Sequence, residues 1–576
     1  MAEATRRPPF LTRSRFTNSG RKLIYLIGGL IFALLAALIL YPSLNLVLNS
    51  FLADGRLSLA NYADFLTDTS TYVVLYNSLF VSLLGTLGAT ALGLFIAWLI
   101  ARTDVPFKSF WRAIVIVPYL IPPFIGAIAW SYLLGPVGYI NKLYMALSGN
   151  SDPLFVIYGK WGIILVMILY SYPIAYMISL GPLEKMNPTL EEAGRMSGAG
   201  ILRVMRDISI PLVGPSIWGG ALLIFMSLMA NFGIPAVLGF PARFFVLTTK
   251  IYLTILNFDK ANNLQVAAAL SMTLVVVAVI AMQIQRKVQQ GRSYAILSGK
   301  ESQPQLVQLG KLKYAALGFL AIVFIVTVLA PLLAILLTSL TRATGVPLTW
   351  ENLSLRHYED LIFNVPKVRR ALINSTLLAV LSATTIVFIS MVISYLLIRI
   401  KIRGGQMIET LILLPYAIPG TIVALAMILA FLKPLPIINY SLYNTFWILY
   451  VAYLTRFLTF GVRSINAAFE QLHVSLEEAA RISGADVVTT FKDIVVPLVR
   501  TNVFAGWFLA FMPAFTELTL SILLFSVNNE TLGVVVFGLH QEGKVNLTAA
   551  LALLIIIIVL ILNIVTRRVT RGRLGF

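Results

Sequence analysis

The chain has 576 residues, 59% of them hydrophobic and 12% charged, with a mean hydropathy of +0.87, far more apolar surface than a soluble domain needs to fill a core. Its formal charge of +20 would point to nucleic acid in a soluble protein, but the placement of the basic residues excludes that reading. It contains no cysteine, which excludes disulfides, iron–sulfur clusters and thiolate metal sites.

Apolar runs of about 20 residues, long enough to cross a hydrocarbon layer of roughly 30 Å, recur along the chain. Twelve spans are read: 23–49, 73–101, 109–134, 161–182, 213–238, 264–285, 314–340, 372–398, 408–432, 443–463, 500–524 and 546–566. Runs this long predict helices and not barrel strands, because a helix closes its own backbone hydrogen bonds in lipid. The first run is too long for a signal peptide and lacks a small-residue cleavage site, so it is read as a span. The fold class is an all-α polytopic membrane protein.

Basic residues concentrate in the N-terminal tail (Arg6, Arg7, Arg13, Arg15, Arg21, Lys22), at Arg102, Lys108 and Arg112, in a connector (Arg286, Lys287, Arg292, Lys300, Lys311, Lys313), at Arg399 to Arg403, and in the C-terminal tail. All of these fall on one side if the spans alternate, so the positive-inside tendency places both termini and the connector in the cytoplasm. The segment 341–371, with Arg342, Arg356, Lys367, Arg369 and Arg370, dissents on the opposite face.

An internal repeat divides the chain into residues 1–285, a hydrophilic connector at 286–313, and residues 314–576. Asn77-Ser78 matches Asn374-Ser375, and VPYLIPP at 117–123 matches LPYAIPG at 414–420, both at an offset of 297. Two further segments, EEAGRMSGAGILRVMRDISIPL at 191–212 and EEAARISGADVVTTFKDIVVPL at 477–498, match at an offset of 286. Six spans per half give the copies one orientation, two parallel repeats about an axis along the membrane normal. The eleven extra residues of the first half fall in an outer loop near 135–160.

Pro118, Pro122, Pro415 and Pro419 remove backbone donors in the third and ninth spans and bend them, either as packing or as hinges of a gate. Tyr119 and Tyr416 beside them read as pore residues or as interfacial anchors. Each matched segment lies between the fourth and fifth spans of its half and predicts a helix, a glycine turn and a second amphipathic helix. Two such cassettes suit a symmetric dimer, one cassette per protomer.

The spacing Glu478-Ala479-Ala480, Gly484, Ile494, Pro497 resembles the signature loop of ABC importer permeases. Glu192-Ala193-Gly194, Gly198, Ile208, Pro211 repeats it with Gly194 in place of alanine, which is expected to loosen the first cassette. The resemblance covers essentially the whole chain as two fused permease domains and looks most like the ferric iron permease group, with thiamine, polyamine and phosphonate permeases as relatives. It implies an inner-membrane importer subunit that takes cargo from an external binding protein and is driven by a homodimeric ATPase using ATP and magnesium. The chain binds no cofactor of its own in this reading: it has no phosphate loop, and Gly299-Lys300 runs into Glu301. The ATPase-coupling residues implied are Glu191, Glu192, Ala193, Gly198 and Pro211, and Glu477, Glu478, Ala479, Gly484 and Pro497. Pro211 and Pro497 sit where the cassettes must join the spans stiffly.

Charges inside spans are functional candidates, because burying them in hydrocarbon is costly. Glu517 in FMPAFTELTLS aligns with Asn231 in FMSLMANFGIP. Both are read as translocation-path residues, with interhelical packing as the alternative. The related permeases often carry an acid in both halves, so Asn231 counts against a symmetric metal site. His357, His473 and His540 are scattered, and Arg456 is read as close enough to a span end to snorkel. An ion-coupled secondary transporter shares the two-by-six architecture but has no use for matched cassettes, and a scaffold without transport leaves the kinks and Glu517 unexplained.

Overall fold

A computed structural model describes residues 18–53, 55–186, 189–290, 306–434 and 439–569. The basic residues expected in the tails at 1–17 and 570–576, and most of the connector, lie outside the described residues. The chain is helical, its only strands among the described residues being the hairpin Leu52–Ala53 and Arg56–Leu57.

Among the described residues ten helices are long and apolar enough to span a membrane, and two bent pairs raise the number to twelve. Each repeat contributes six, as the hydropathy pattern predicts. The third span is broken in both repeats: Lys108–Ile114 and Val117–Leu120 precede Pro123–Leu134, and Gly405–Tyr416 meets Gly420–Phe431 at 106°. The prolines cause this, since each lacks the N–H that would bond the preceding turn. The fifth and eleventh spans end sooner than expected, at Met229 and Phe515. Short buried helices follow in place of a continued span, Gly233–Gly239 and Leu247–Ile255 in one repeat, Ser521–Leu524 and Leu532–Gln541 in the other.

The Asn-Ser pairs that marked the repeat hold these short helices. Ser78 Oγ accepts from Leu247 N–H at 2.7 Å and Ser375 Oγ from Leu532 N–H at 2.8 Å, satisfying helix N-terminal donors in both copies. Asn77 donates to the Phe245 carbonyl, and Asn374 to those of Asn528 and Glu530.

The first and seventh spans bridge the two repeats. The first span, Tyr25–Ser50, packs on the second repeat: Tyr41 donates to the Ala430 carbonyl and Thr455 to that of Leu38, each at 3.1 Å. The seventh, Leu312–Leu340, reaches the first repeat, with Phe319 edge-on to Phe95 at 5.1 Å, while Asn546 of the twelfth span donates to the Thr338 carbonyl at its end at 2.9 Å. The dissenting loop 341–371 is largely neutralised: Lys367 pairs with Glu542 at 3.0 Å, Arg370 with Glu530 at 3.5 Å and Arg356 with Asp360 at 3.7 Å.

Candidate coupling cassettes and translocation path

The first cassette is the helix Thr189–Met196, a turn at Gly198 and a helix from Ile201 to Leu212. The second is Ser475–Ile482, a turn at Gly484 and a helix from Val487 onward. Gly198 and Gly484 have φ of +83° and +91°, a left-handed conformation that costs other residues roughly 1–2 kcal/mol. One residue before each proline the helix widens: Ile210 N–H reaches back five residues to the Met205 carbonyl, and Val496 N–H to that of Phe491. Pro211 and Pro497 explain the widening, since each offers no N–H and crowds the carbonyl four residues earlier.

Glu191 and Glu477 turn inward, whereas Glu192 and Glu478 are half-buried and Ala193 and Ala479 are exposed. Glu191 forms an ion pair with Arg102, both side chains 0% exposed. Arg102 Nε donates to Glu191 Oε2 at 3.1 Å, and the Ser209 hydroxyl donates to Oε1 at 2.6 Å. Arg102 is the last residue of the second span, so this network fastens the cassette to the bundle. In the second repeat Arg399 Nε lies 2.8 Å from Glu477 Oε1, the side chains 9% and 4% exposed. Arg399 also donates to the Leu472 carbonyl at 2.7 Å and lies over the Phe469 ring. Arg102 and Arg399 match at the offset of 297, and Ser209 corresponds to Val495 at 286.

Two expectations change. The first cassette does not join its span stiffly: Met205–Leu212 meets Gly214–Met229 at 73°, because Gly214-Pro215 interrupts the helix where Arg500-Thr501 continues it. The second joins as one helix, Phe491–Phe515. Gly194 is also not a loosened alanine, for a Cβ there would meet Ile208 Cδ1 at 2.5 Å, so the isoleucine tip fills the methyl's place.

The breaks of the third and fifth spans meet. A Cβ on Gly233 would lie 2.7 Å from Phe124 Cβ, and one on Gly420 3.0 Å from Thr519 Cγ2 and 3.4 Å from Arg456 Cζ. Asn231 Oδ1 accepts from Ile234 N–H at 3.0 Å and Glu517 Oε1 from Leu520 N–H at 2.8 Å. Both therefore cap the helical turn that follows the break, and both remain partly exposed. Arg456 donates to the Ile418 carbonyl, freed beside Pro419, at 2.9 Å, and acts electrostatically on Glu517. It sits well inside the helix Phe446–Gln471, so it does not snorkel from an end. Its counterpart at an offset of 286 is Tyr170, which is buried.

Tyr119 and Tyr416 interact with each other and are 45% and 41% exposed although the prolines beside them are buried. A cavity of about 160 Å³ lies on the seam at the face away from the cassettes, lined by Tyr132 and Tyr158 of the first repeat and His540 and Asn546 of the second. Among the described residues no three His, Asp or Glu converge as a metal site.

Sequence reasoning saw Arg102 and Arg399 only as charges that orient the chain and Arg456 only as a snorkelling residue. The first two recur at the repeat offset, a signal sufficient to have singled them out.

The profile of a family described as binding-protein-dependent transport system inner membrane component matches residues 89–294 and 386–572. A Haemophilus influenzae protein provisionally named ferric transport system permease protein FbpB 1 is 29% identical over 500 residues, 86% of this chain and 76% of its own. The ferric transport system permease protein FbpB of Actinobacillus pleuropneumoniae is 26% identical over 540 residues, 92% of this chain and 76% of its own. The spermidine/putrescine transport system permease protein PotC of H. influenzae is 27% identical over 237 residues, 41% of this chain and 90% of its own.

Proposed function

We propose, from the premise that this chain belongs to the family of binding-protein-dependent transport system inner membrane components, that it is the translocation subunit of an ATP-driven importer whose cargo is ferric iron. The iron reading is supported by relatives named for ferric transport that align over most of both chains, where the polyamine relative aligns over 41% of this one. The mechanism is supported above all by one observation: each repeat carries a helical hairpin fastened to its second span by a buried arginine–glutamate pair.

In this reading the cassettes dock a homodimeric ATPase on the cytoplasmic face, where both termini lie, and a binding protein docks opposite. The exposed first helices, with Glu192, Ala193, Glu478 and Ala479, meet the ATPase, while Glu191 and Glu477 hold the cassettes to the bundle. Closure of the dimer on ATP moves the cassettes, the arginines follow, and the bundles rock. Moving a conformational ratio from 1:99 to 99:1 takes about 5.5 kcal/mol of differential binding, so the joints must not yield. Along the proposed path, Tyr119 and Tyr416 offer hydroxyls beside the bends, Glu517 and Asn231 present oxygens at the breaks, and Pro118, Pro122, Pro415 and Pro419 set the bends. Arg456 tempers the field of Glu517, which disfavours a resting site for bare cations.

Reconstitution with the partner ATPase and binding protein tests this reading. Iron uptake that requires ATP and both partners is expected. Uptake driven by an ion gradient without the ATPase would replace it with a secondary transporter.

A further inference from the structure

The connector between the repeats ends in a defined contact. Val307 N–H donates to the Arg102 carbonyl at 2.8 Å, and Asp104 N–H donates to the Val307 carbonyl at 3.2 Å, pairing Thr103 with Val307 as a parallel bridge. Leu309 N–H donates to Asp104 Oδ1 at 2.8 Å. Val307 and Leu309 are buried, as are Arg102, Thr103 and Val105. Three residues later Leu312 begins the seventh span, which packs on the first repeat through Phe95 and Phe319.

Arg102 is therefore shared between two tasks. Its carbonyl holds the connector, and its guanidinium holds Glu191 of the first cassette. Separating the connector would strand buried backbone groups at Arg102 and Asp104, a penalty that makes the two segments move as one body. A purely apolar contact could slide, whereas this one has a hydrogen-bonded register.

We propose that Asp104 and residues 306–309 form a clip that positions the first coupling joint, holding Arg102 against Glu191 and carrying the cassette's displacement directly into the seventh span. Asp104 is a positioning residue that acts through Arg102. The inference rests on the cassettes being the ATPase docking elements.

The test uses the full complex reconstituted with its ATPase and binding protein, with radiolabelled ferric iron as the probe. Asp104→Ala removes the acceptor for Leu309, Val307→Pro removes the donor to Arg102, and Asp104→Asn keeps an acceptor oxygen. The ratio of ATP hydrolysed to iron imported is expected to rise about fivefold in Asp104→Ala and Val307→Pro, the factor to which a hydrogen bond of about 1 kcal/mol converts. Asp104→Asn is expected to stay near wild type, and all three variants to retain the ATPase. An unchanged ratio in the first two, while amide exchange reports residues 306–309 released, overturns the proposal. So does a rise in Asp104→Asn equal to that in Asp104→Ala. A wild-type chain that captures no ATPase overturns the cassette reading instead.

Discussion

The two cassettes solve the same mechanical problem differently. The second runs without interruption into its span, Phe491–Phe515, and its Arg399–Glu477 pair, 9% and 4% exposed, has Val495 at the position where the first cassette has Ser209. The first is bent by 73° where Gly214-Pro215 interrupts the helix, and a bent backbone transmits torque poorly. There the fastening is chemical: Arg102, Glu191 and Ser209 are all fully buried, and the connector clips to the same arginine. A buried charge pair is weak stabilisation overall, but breaking it is costly, about 3–5 kcal/mol when one partner is removed. The comparison teaches that a continuous helix and a buried ion pair are interchangeable ways of making a joint rigid.

The largest expected effect follows from that cost. Arg102→Met strands Glu191 and should raise amide exchange across residues 189–212 by a hundredfold or more, corresponding to about 3 kcal/mol or more of lost joint stability; exchange mass spectrometry of the purified chain reads it. Arg399→Met likewise strands Glu477 but should release residues 475–490 by less, because the continuous helix Phe491–Phe515 still holds the cassette to its span. Gly198→Ala and Gly484→Ala form a control pair, since both force alanine to positive φ and should destabilise their cassettes equally, by about 1–2 kcal/mol in thermal unfolding of the complex. A marked inequality there would show that the difference between the cassettes lies in their turns and not in their joints. The smallest effect belongs to Gly194→Ala, which needs only the Ile208 tip to turn aside and should cost under about 1 kcal/mol in the same measurement.

Hydropathy and the two offsets made the twelve spans, the repeat and the cassettes legible, because span length and duplication are properties of the chain itself. The early ends of the fifth and eleventh spans were not legible, since Gly233–Gly239 and Ser521–Leu524 are as apolar as the spans before them. The bridging of the repeats by the first and seventh spans leaves no periodic trace, because helices facing lipid or either repeat need the same residues. Arg102 and Arg399 had been counted only as charges that orient the chain. Their partners lie in the cassettes, 89 residues away for Arg102, a separation that pattern reading does not bridge. Arg456 was misplaced by span counting, and only the fold brings it to the Ile418 carbonyl and the Glu517 turn. The aligned pair Asn231 and Glu517 was visible in advance, but its capping of the turn after each break was not.

The unequal joints are tested most directly by the coupling of ATP hydrolysis to iron uptake in the reconstituted complex carrying Glu191→Gln or Glu477→Gln. The account predicts that Glu191→Gln leaves the ATPase bound but largely abolishes uptake per ATP, whereas Glu477→Gln retains most of it. Equal losses in the two variants, or a greater loss in Glu477→Gln, would contradict it.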